Sequence, residues 1–376
     1  MRSISDTIKK VAPSATMAMN NRAKEMIRSN IDVISMAVGE PDFPTPPHII
    51  QGAIDALNRG ETHYSPSRGI PELIDSIVDK FKSDNGIQTS SGQIMVTAGA
   101  KDAIRITMMS LLNKNDEVVI IDPSWVSYEP CVQIAGGEAV HHLLNQNFQV
   151  DESIYDVITD KTKMIIVNTP SNPTGTILDR SSLRLIADIC DDYDLFCLSD
   201  EIYEKLVYEK DHISIATIGD MADKTITVNG FSKAYAMTGW RLGYLSAPRD
   251  VIPYMDKVMQ HSVGCVNTFA MWGGVVALTG DQACVNDMHD QFEKRRKYIM
   301  DRLTKMGLKY APMEGAFYSF VNIGGDDISV ANQWLEKAHV ATTPGSAFGS
   351  PGWIRMSYAT SINRIEEALN RIEELI

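Results

Sequence analysis

Between about residues 90 and 250, short runs rich in β-branched and apolar residues alternate with longer stretches of helical periodicity, and this alternation narrows the possible folds more than any other feature. The candidate strands are Ile94–Thr97, Glu117–Ile121, Lys163–Asn168, Leu195–Leu198, Thr225–Val228 and Leu242–Ser246, with helices such as Lys101–Leu112 and Arg180–Asp192 between them. In the second helix Leu183, Ile186, Ala187 and Cys190 share one face, the spacing of a stripe that packs on a sheet. Strands separated by helices are joined by crossovers, and crossovers build a mostly parallel sheet covered on both faces. The fold class is therefore α/β. Sheets of this kind present their ligands beyond the carboxyl ends of the strands.

After Gly280 the pattern changes to a charged helix Val285–Met306, a strand Ala316–Val321, a helix Val330–Ala338, a strand Trp353–Tyr358 and a closing helix from Ile362. Fewer and less parallel elements predict a separate, smaller α+β domain. The proline-rich stretch Gly39–Pro47 marks another boundary, so residues 1–45 are read as an arm and part of the small domain, 46–280 as the large domain and 281–376 as the small one.

The 376 residues carry a formal charge of −13, from 35 Lys and Arg against 48 Asp and Glu, with no basic cluster. Counterion release to a nucleic acid or an anionic bilayer thus has no source, and the expected partner is a small molecule. Met1-Arg2-Ser3-Ile4-Ser5-Asp6 has no apolar signal core, and no later apolar run reaches the roughly 20 residues that span a bilayer, which predicts a cytoplasmic protein without membrane contact. The five cysteines are odd in number with none in C-x-x-C spacing, against a disulfide framework or a zinc site.

Four segments near strand ends carry chemistry. Ser232-Lys233 follows one strand and Arg241 opens the next. A lysine held partly desolvated captures carbonyl carbons, and an arginine nearby holds a fixed anion, a combination that points to pyridoxal 5′-phosphate (PLP). Thr97-Ala98-Gly99-Ala100-Lys101 leads from a strand into a helix, whose N-terminal N–H groups suit a phosphate, although such turns also serve packing alone. Asp200, in Leu198-Ser199-Asp200-Glu201-Ile202-Tyr203, is either the partner of a pyridinium nitrogen or a helix N-cap. Tyr203 and Asn172 are candidate donors to a ring's phenolic oxygen, and Trp125 either stacks on a flat cofactor or packs in the core. Asn172 lies in Asn168-Thr169-Pro170-Ser171-Asn172-Pro173-Thr174-Gly175, where prolines and glycine fix its backbone. Arg355, in the apolar strand Trp353-Ile354-Arg355-Met356-Ser357-Tyr358, needs an anionic partner, either a substrate carboxylate or a structural Asp.

Taken together, N-P-T-G, S-D-E-I-Y, S-K-x-x-x-x-T-G-W-R-x-G and R-x-S-Y-A resemble the class I and II aminotransferases of PLP fold type I, over nearly the whole chain from Val38-Gly39-Glu40-Pro41-Asp42 to Arg355. The resemblance implies a seven-stranded, mostly parallel sheet sandwiched by helices. It makes Lys233 the Schiff-base lysine and proton shuttle, Asp200 the pyridinium partner, Tyr203 and Asn172 the donors to the phenolic oxygen, and Trp125 the stacking ring. Gly99, Ala100, Lys101 (through its backbone), Ser232 and Arg241 would hold phosphate, and Arg355, Asn172 and Gly39 the substrate α-carboxylate. It also implies a homodimer in which Tyr64 reaches the neighbour's phosphate. Gly230 stands where some subgroups have a phosphate-binding serine, and Ala100 where glycine or serine is common.

The reaction so implied moves the amino group of an L-amino acid to a 2-oxo acid such as 2-oxoglutarate in two half-reactions. Pro13-Ser14-Ala15-Thr16 and the Lys101 side chain resemble the bacterial-type aspartate aminotransferases, in which the lysine helps to recognise a distal carboxylate. Aromatic, alanine and prephenate-type donors stay open, as does a PLP-dependent C–S β-lyase on the same fold. A PLP-binding regulator is disfavoured by the charge and the lack of extra length, and an NAD enzyme by the absence of G-x-G-x-x-G after the first strand.

Overall fold

The computed structural model describes residues 3–376. Its N-terminal two-thirds contain β1 (Ile34–Ser35), β2 (Ile94–Thr97), β3 (Glu117–Asp122), β4 (Glu138–Leu143), β5 (Thr162–Asn168), β6 (Phe196–Asp200), β7 (Thr225–Gly230) and β8 (Gly243–Ser246). Strands β2 to β8 form one seven-stranded sheet in the order β2-β8-β7-β6-β5-β3-β4. All neighbours pair in parallel except β8, which is antiparallel to both β2 and β7. Both faces are covered, as the near-continuous apolar runs require. Val118, Ile120, Ile166 and Leu198 point into a core shared with Ile77, Phe81, Ile104 and Met108, whereas Val119, Ile165, Val167 and Cys197 meet Leu183, Ile186 and Ile189 on the other side.

Several strands run farther than their apolar residues suggest. Asp122, Asp200 and Gly230 are the last residues of β3, β6 and β7 rather than loop positions. Strand β4 was not expected from sequence at all. It is an edge strand that pairs only with β3, so it needs no apolar run, and most of its residues are partly or fully exposed.

The C-terminal part holds β9 (Lys309–Tyr310), β10 (Tyr318–Asn322), β11 (Val340–Ala341), β12 (Thr343–Pro344) and β13 (Trp353–Ser357). An antiparallel sheet β12-β13-β10-β9 packs with helices Ala283–Lys305 and Ile362–Glu373 around Phe292, Phe317, Trp334, Ile354 and Leu369. The helix expected over Val330–Ala338 starts earlier, at Asp327, because the Asp326 side chain accepts the Ser329 N–H at 3.0 Å and caps it. It then passes into a π turn over Trp334–Ala338.

Strand β1 pairs in parallel with β11, so the early chain is stitched to the C-terminal part. The segment after β1 then ties both parts together: Asp42 takes a two-pronged hydrogen bond from Arg295 at 2.6 and 2.9 Å, and Thr45 Oγ1 donates to Ala236 O at 2.8 Å. Among the described residues no helix is long and apolar enough to cross a membrane, and all five cysteines are free.

Candidate active site

A cavity of about 330 Å3 opens where the ends of β5, β6 and β7 meet β10, β13 and the N-terminal helix Ala15–Arg28. Gly39, Ala100, Lys101, Trp125, Asn172, Asp200, Tyr203, Ser232, Lys233, Arg241 and Arg355 all line it. Of the residues given a binding or catalytic role from sequence, Gly99 and Tyr64 do not. Gly99 lies directly behind Arg241, whereas Tyr64 is 98% exposed and away from its own chain's cavity.

The Lys233 amine donates to Gly39 O at 2.6 Å and lies 5.8 Å from the ring centres of Tyr203 and Phe317. Burial is the main reason its pKa falls to about 8, and the Arg355 and Arg241 charges add to the fall while Glu40 and Asp200 oppose it. About a tenth of the amine is therefore neutral near pH 7, far more than for an ordinary lysine. Gly39 has no room for a side chain, since a Cβ there would lie 1.9 Å from Tyr318 Oη.

Asp200 caps no helix. Its carboxylate accepts the Tyr128 hydroxyl at 2.8 Å and the Ile202 N–H at 3.3 Å, and burial pushes its pKa up to about 6. Such a carboxylate favours a cationic partner, which would restore its charge. Tyr203 Oη is 2.7 Å from Tyr318 Oη. Asn168, at the end of β5, donates to Asp200 O at 2.9 Å and accepts the Asn172 N–H at 2.8 Å, so the N-P-T-G loop is set directly against the strand that carries Asp200.

Arg355 is buried among apolar rings, with its Cζ 4.6 Å from the Tyr318 ring centre and 4.8 Å from that of Phe348. It has no Asp partner among the described residues. It donates to Asn172 Oδ1 at 2.8 Å, to Ala37 O and, at 3.5 Å, to Thr343 Oγ1, all uncharged acceptors. Its Nε is buried without a partner among the described residues, and burial pulls its pKa below the usual arginine value. A buried guanidinium with a free donor is a site for an anion.

The residues expected to form an anion cradle lie along the same cavity as Lys233, with Gly99 just behind. Gly99, at φ +87°, precedes helix Ala100–Leu111, and Arg241 donates to Thr238 O at 3.0 Å and Ala98 O at 3.3 Å. A Cβ on Gly99 would lie 2.5 Å from Arg241 Nη2, and one on Gly243 would lie 2.5 Å from Ala100 N, so the turn is shaped around the guanidinium and β8. Gly230 pairs with Gly243, and a side chain there would meet the Gly243 Cα at 3.1 Å, leaving Ser232 as the hydroxyl that opens on the cavity. Lys101 has its Nζ 4.9 Å from the Trp125 ring centre; burial of the amine lowers its pKa, and Arg241 contributes.

The lining thus carries four cations, Lys101, Lys233, Arg241 and Arg355, against one carboxylate, Asp200, among the described residues. That donor set fits PLP: an amine for its aldehyde, an arginine with a helix N-terminus for its phosphate, a buried acid for its ring nitrogen and an indole for its face. Sequence reasoning missed Tyr128, Tyr318 and Asn168. The two tyrosines carry no local signal that separates them from core residues, whereas Asn168 heads a motif already in view.

The model of the family "Aminotransferase class I and II" matches residues 31–372. A probable aspartate aminotransferase of Methanocaldococcus jannaschii is 42% identical over 99% of each chain. An aspartate/prephenate aminotransferase of Thermus thermophilus is 38% identical over 100% of this chain and 99% of its own. The solved structure of Thermus thermophilus aspartate aminotransferase with maleate superimposes with a TM-score of 0.97 at 38% identity, covering 100% of both chains. With a family match over nine-tenths of its length and a shared three-dimensional frame, this chain belongs to the class I and II aminotransferases, transaminases of PLP fold type I.

Proposed function

We propose that the protein transfers the amino group of a dicarboxylic L-amino acid, aspartate first, to 2-oxoglutarate. One observation carries the choice of substrate. Once Lys233 and Arg241 are assigned to the cofactor, two cations of the cavity remain, Lys101 and Arg355, one for each carboxylate of such a substrate. Thr16 supports this reading, because its Oγ1 lines the same cavity and is buried without a partner among the described residues. Ser14 accepts the Met17 N–H at 3.4 Å and caps the helix that carries Thr16.

When bound, PLP supplies a carbonyl carbon for covalent capture and a ring that accepts the electron pair left at Cα. Lys233 then moves the proton. Its amine, with a pKa near 8, takes it from the substrate's Cα and would hand it on to the cofactor's carbonyl-derived carbon, after which water releases the oxo acid. Asp200 keeps a negative charge at the ring nitrogen, with Tyr128 aiming its carboxylate. Tyr203 and Asn172 offer donors to the phenolic oxygen, Trp125 covers the ring face, and Ser232, Arg241 and the Gly99-Ala100-Lys101 backbone hold the phosphate. Arg355 fixes the α-carboxylate, which sets Cα within reach of Lys233.

The exposed Tyr64 supports a homodimer that delivers it to the partner's phosphate site, and the five free cysteines suit the reducing cytoplasm. The two largest cores support domains at 1–45, 46–280 and 281–376, with Ile202, Tyr203, Leu206 and Tyr208 of the middle segment packing into the C-terminal core and Val285 into the large one; residues 1 and 2 lie outside the described residues. The test is a screen of aspartate, glutamate, alanine, phenylalanine and prephenate under PLP, with cystathionine assayed for pyruvate without an oxo acid. Aspartate with 2-oxoglutarate should show the highest kcat/KM. Preference for an uncharged side chain would overturn the substrate, and oxo-acid-independent pyruvate from cystathionine would favour the β-lyase.

A further inference from the structure

Glu201, next to Asp200, does not line the cavity. Alternation at the strand end turns its side chain away, and it is fully buried. Four donors hold its carboxylate: Ser199 Oγ at 2.9 Å and Ser214 Oγ at 2.6 Å on Oε1, His212 Nε2 at 3.0 Å and Asn85 Nδ2 at 3.1 Å on Oε2. Two of these donors, His212 and Ser214, lie at the far end of the loop that begins at Glu201. Tyr203 sits between the two ends of that closed loop.

We propose that Glu201, His212 and Ser214 form a clasp that closes the segment 201–214 and so positions Asp200 and Tyr203 against the cofactor ring. These are positioning residues, since none of the three lines the cavity. The clasp is anchored from outside: Asn85 also donates to Glu204 Oε2 at 2.6 Å, and Lys80, on helix Pro71–Asp84, bonds to Glu204 Oε1 and donates to Asn85 Oδ1 at 2.6 Å.

The Glu201, Glu204 and His212 ligand atoms lie within 4.8 Å of one another, a spacing that would also suit a metal ion. All four carboxylate oxygens already accept hydrogen bonds, however, and the Lys80 ammonium stands beside them. The protein supplies its own cation there.

The His212 ring is mostly buried at the edge of a groove, with Nδ1 buried and without a partner among the described residues, so its hydrogen bond to protein goes to Glu201. Burial and Lys80 lower its pKa, but Glu201 and Glu204 outweigh them and leave it above the ordinary 6.5. The groove of about 710 Å3 on which it opens also presents Asp84, Lys205, Asp211, Tyr235 and His289. Because the folded pKa is raised, the charged clasp is complete below 6.5 and is lost as pH rises through the folded value.

The inference rests on Asp200 and Tyr203 being ring contacts. The experiment measures PLP dissociation constants of the apoenzyme between about pH 5.5 and 9 for the wild type, His212→Gln, Glu201→Gln and the double variant. The ratio of His212→Gln to wild type should be about tenfold at the acid end and fall toward one as the wild type loses its charge. Glu201→Gln should erase the same pH step, also where His212→Gln does not fold, and the double variant should add nothing beyond one single variant. A pH-independent ratio, additive losses or an unchanged affinity overturns the clasp. Asp200→Asn and Tyr203→Phe separate the two readings: if they leave affinity and visible absorbance unchanged, the ring-contact assignment itself has failed.

Discussion

Gly99 tests the anion cradle without removing any charged group. It stands at φ +87°, ψ 161°, a region essentially reserved for glycine, where any other residue costs about 1–3 kcal/mol. Its Cβ would also lie 2.5 Å from Arg241 Nη2 and 2.9 Å from Cζ. The guanidinium must therefore withdraw by roughly an ångström to reach ordinary contact distance. Arg241 is tethered to Thr238 O and Ala98 O, so withdrawal breaks at least one of those bonds and takes the fork away from the phosphate. A hydrogen bond to a charged group contributes about 1.5–3 kcal/mol, which corresponds to roughly 10- to 150-fold in affinity. Gly99→Ala should thus loosen PLP by one to two orders of magnitude and lower the apoprotein's unfolding free energy by about 1–3 kcal/mol. Gly136→Ala is the control: it also has positive φ, at +94°, but nothing lies within 4 Å of its Cβ, so it should lower stability and leave affinity alone. Absorbance titration of apoenzyme with PLP and urea unfolding followed by circular dichroism read the two quantities separately. If Gly99→Ala destabilises the fold yet binds PLP like the wild type, Arg241 does not hold the phosphate.

Other outcomes follow from the same cavity. Lys233→Met should abolish turnover and make the apoprotein more stable at pH 7 by on the order of 2–3 kcal/mol, because the buried ammonium is lost. The unfolded chain binds the extra proton between about 8 and 10.5, so wild-type stability rises with pH across that window and the variant's advantage fades there; an advantage that does not shrink across the window contradicts a lowered pKa. Arg355→Lys should raise KM for the amino acid far more than it weakens PLP, since a point charge cannot replace the fork, and an unchanged KM rules out its carboxylate role. Lys101→Ala should cut kcat/KM for aspartate by at least tenfold more than for alanine, the effect of ~1.4 kcal/mol or more, and equal losses would remove the distal-carboxylate assignment.

How legible each part was in the sequence depends on how local its cause is. Arg180–Asp192 announced itself because its apolar stripe is a one-dimensional pattern, and Lys233, Asp200 and Asn172 because each sits in a motif fixed to a strand end. Strand β4 was invisible because an edge strand with two adjacent histidines satisfies its backbone through β3 alone. Tyr128 and Tyr318 could not be told from core aromatics: Tyr128 meets Asp200 across 72 positions, and Tyr318 meets Tyr203 across 115. For Arg355 the sequence left two partners open, and the fold shows only uncharged acceptors around it. Glu201 and His212 were given no role from sequence, since eleven positions separate them and no motif joins them. Their meeting depends on the path of the 201–214 segment, which no periodicity encodes.

The excess of positive charge in the cavity also links binding to basicity. Arg241 and Arg355 repel the Lys233 ammonium and help hold its pKa near 8. A phosphate seated on Arg241 and a carboxylate on Arg355, as proposed, would cancel that repulsion and make the amine a stronger base. By reciprocity a proton on Lys233 tightens the anions by the same free energy that the anions lend to the proton. A cavity with one carboxylate against four cations therefore carries an electrostatic cost when empty, felt beside burial in the Arg355 and Arg241 contributions to the lowered pKa of Lys233 and the Arg241 contribution to that of Lys101, and that cost would be relieved in the arrangement from which Cα loses its proton. An aspartate in place of Arg355's neutral neighbours would pair the guanidinium permanently, and both the anion site and its grip on the lysine would be lost.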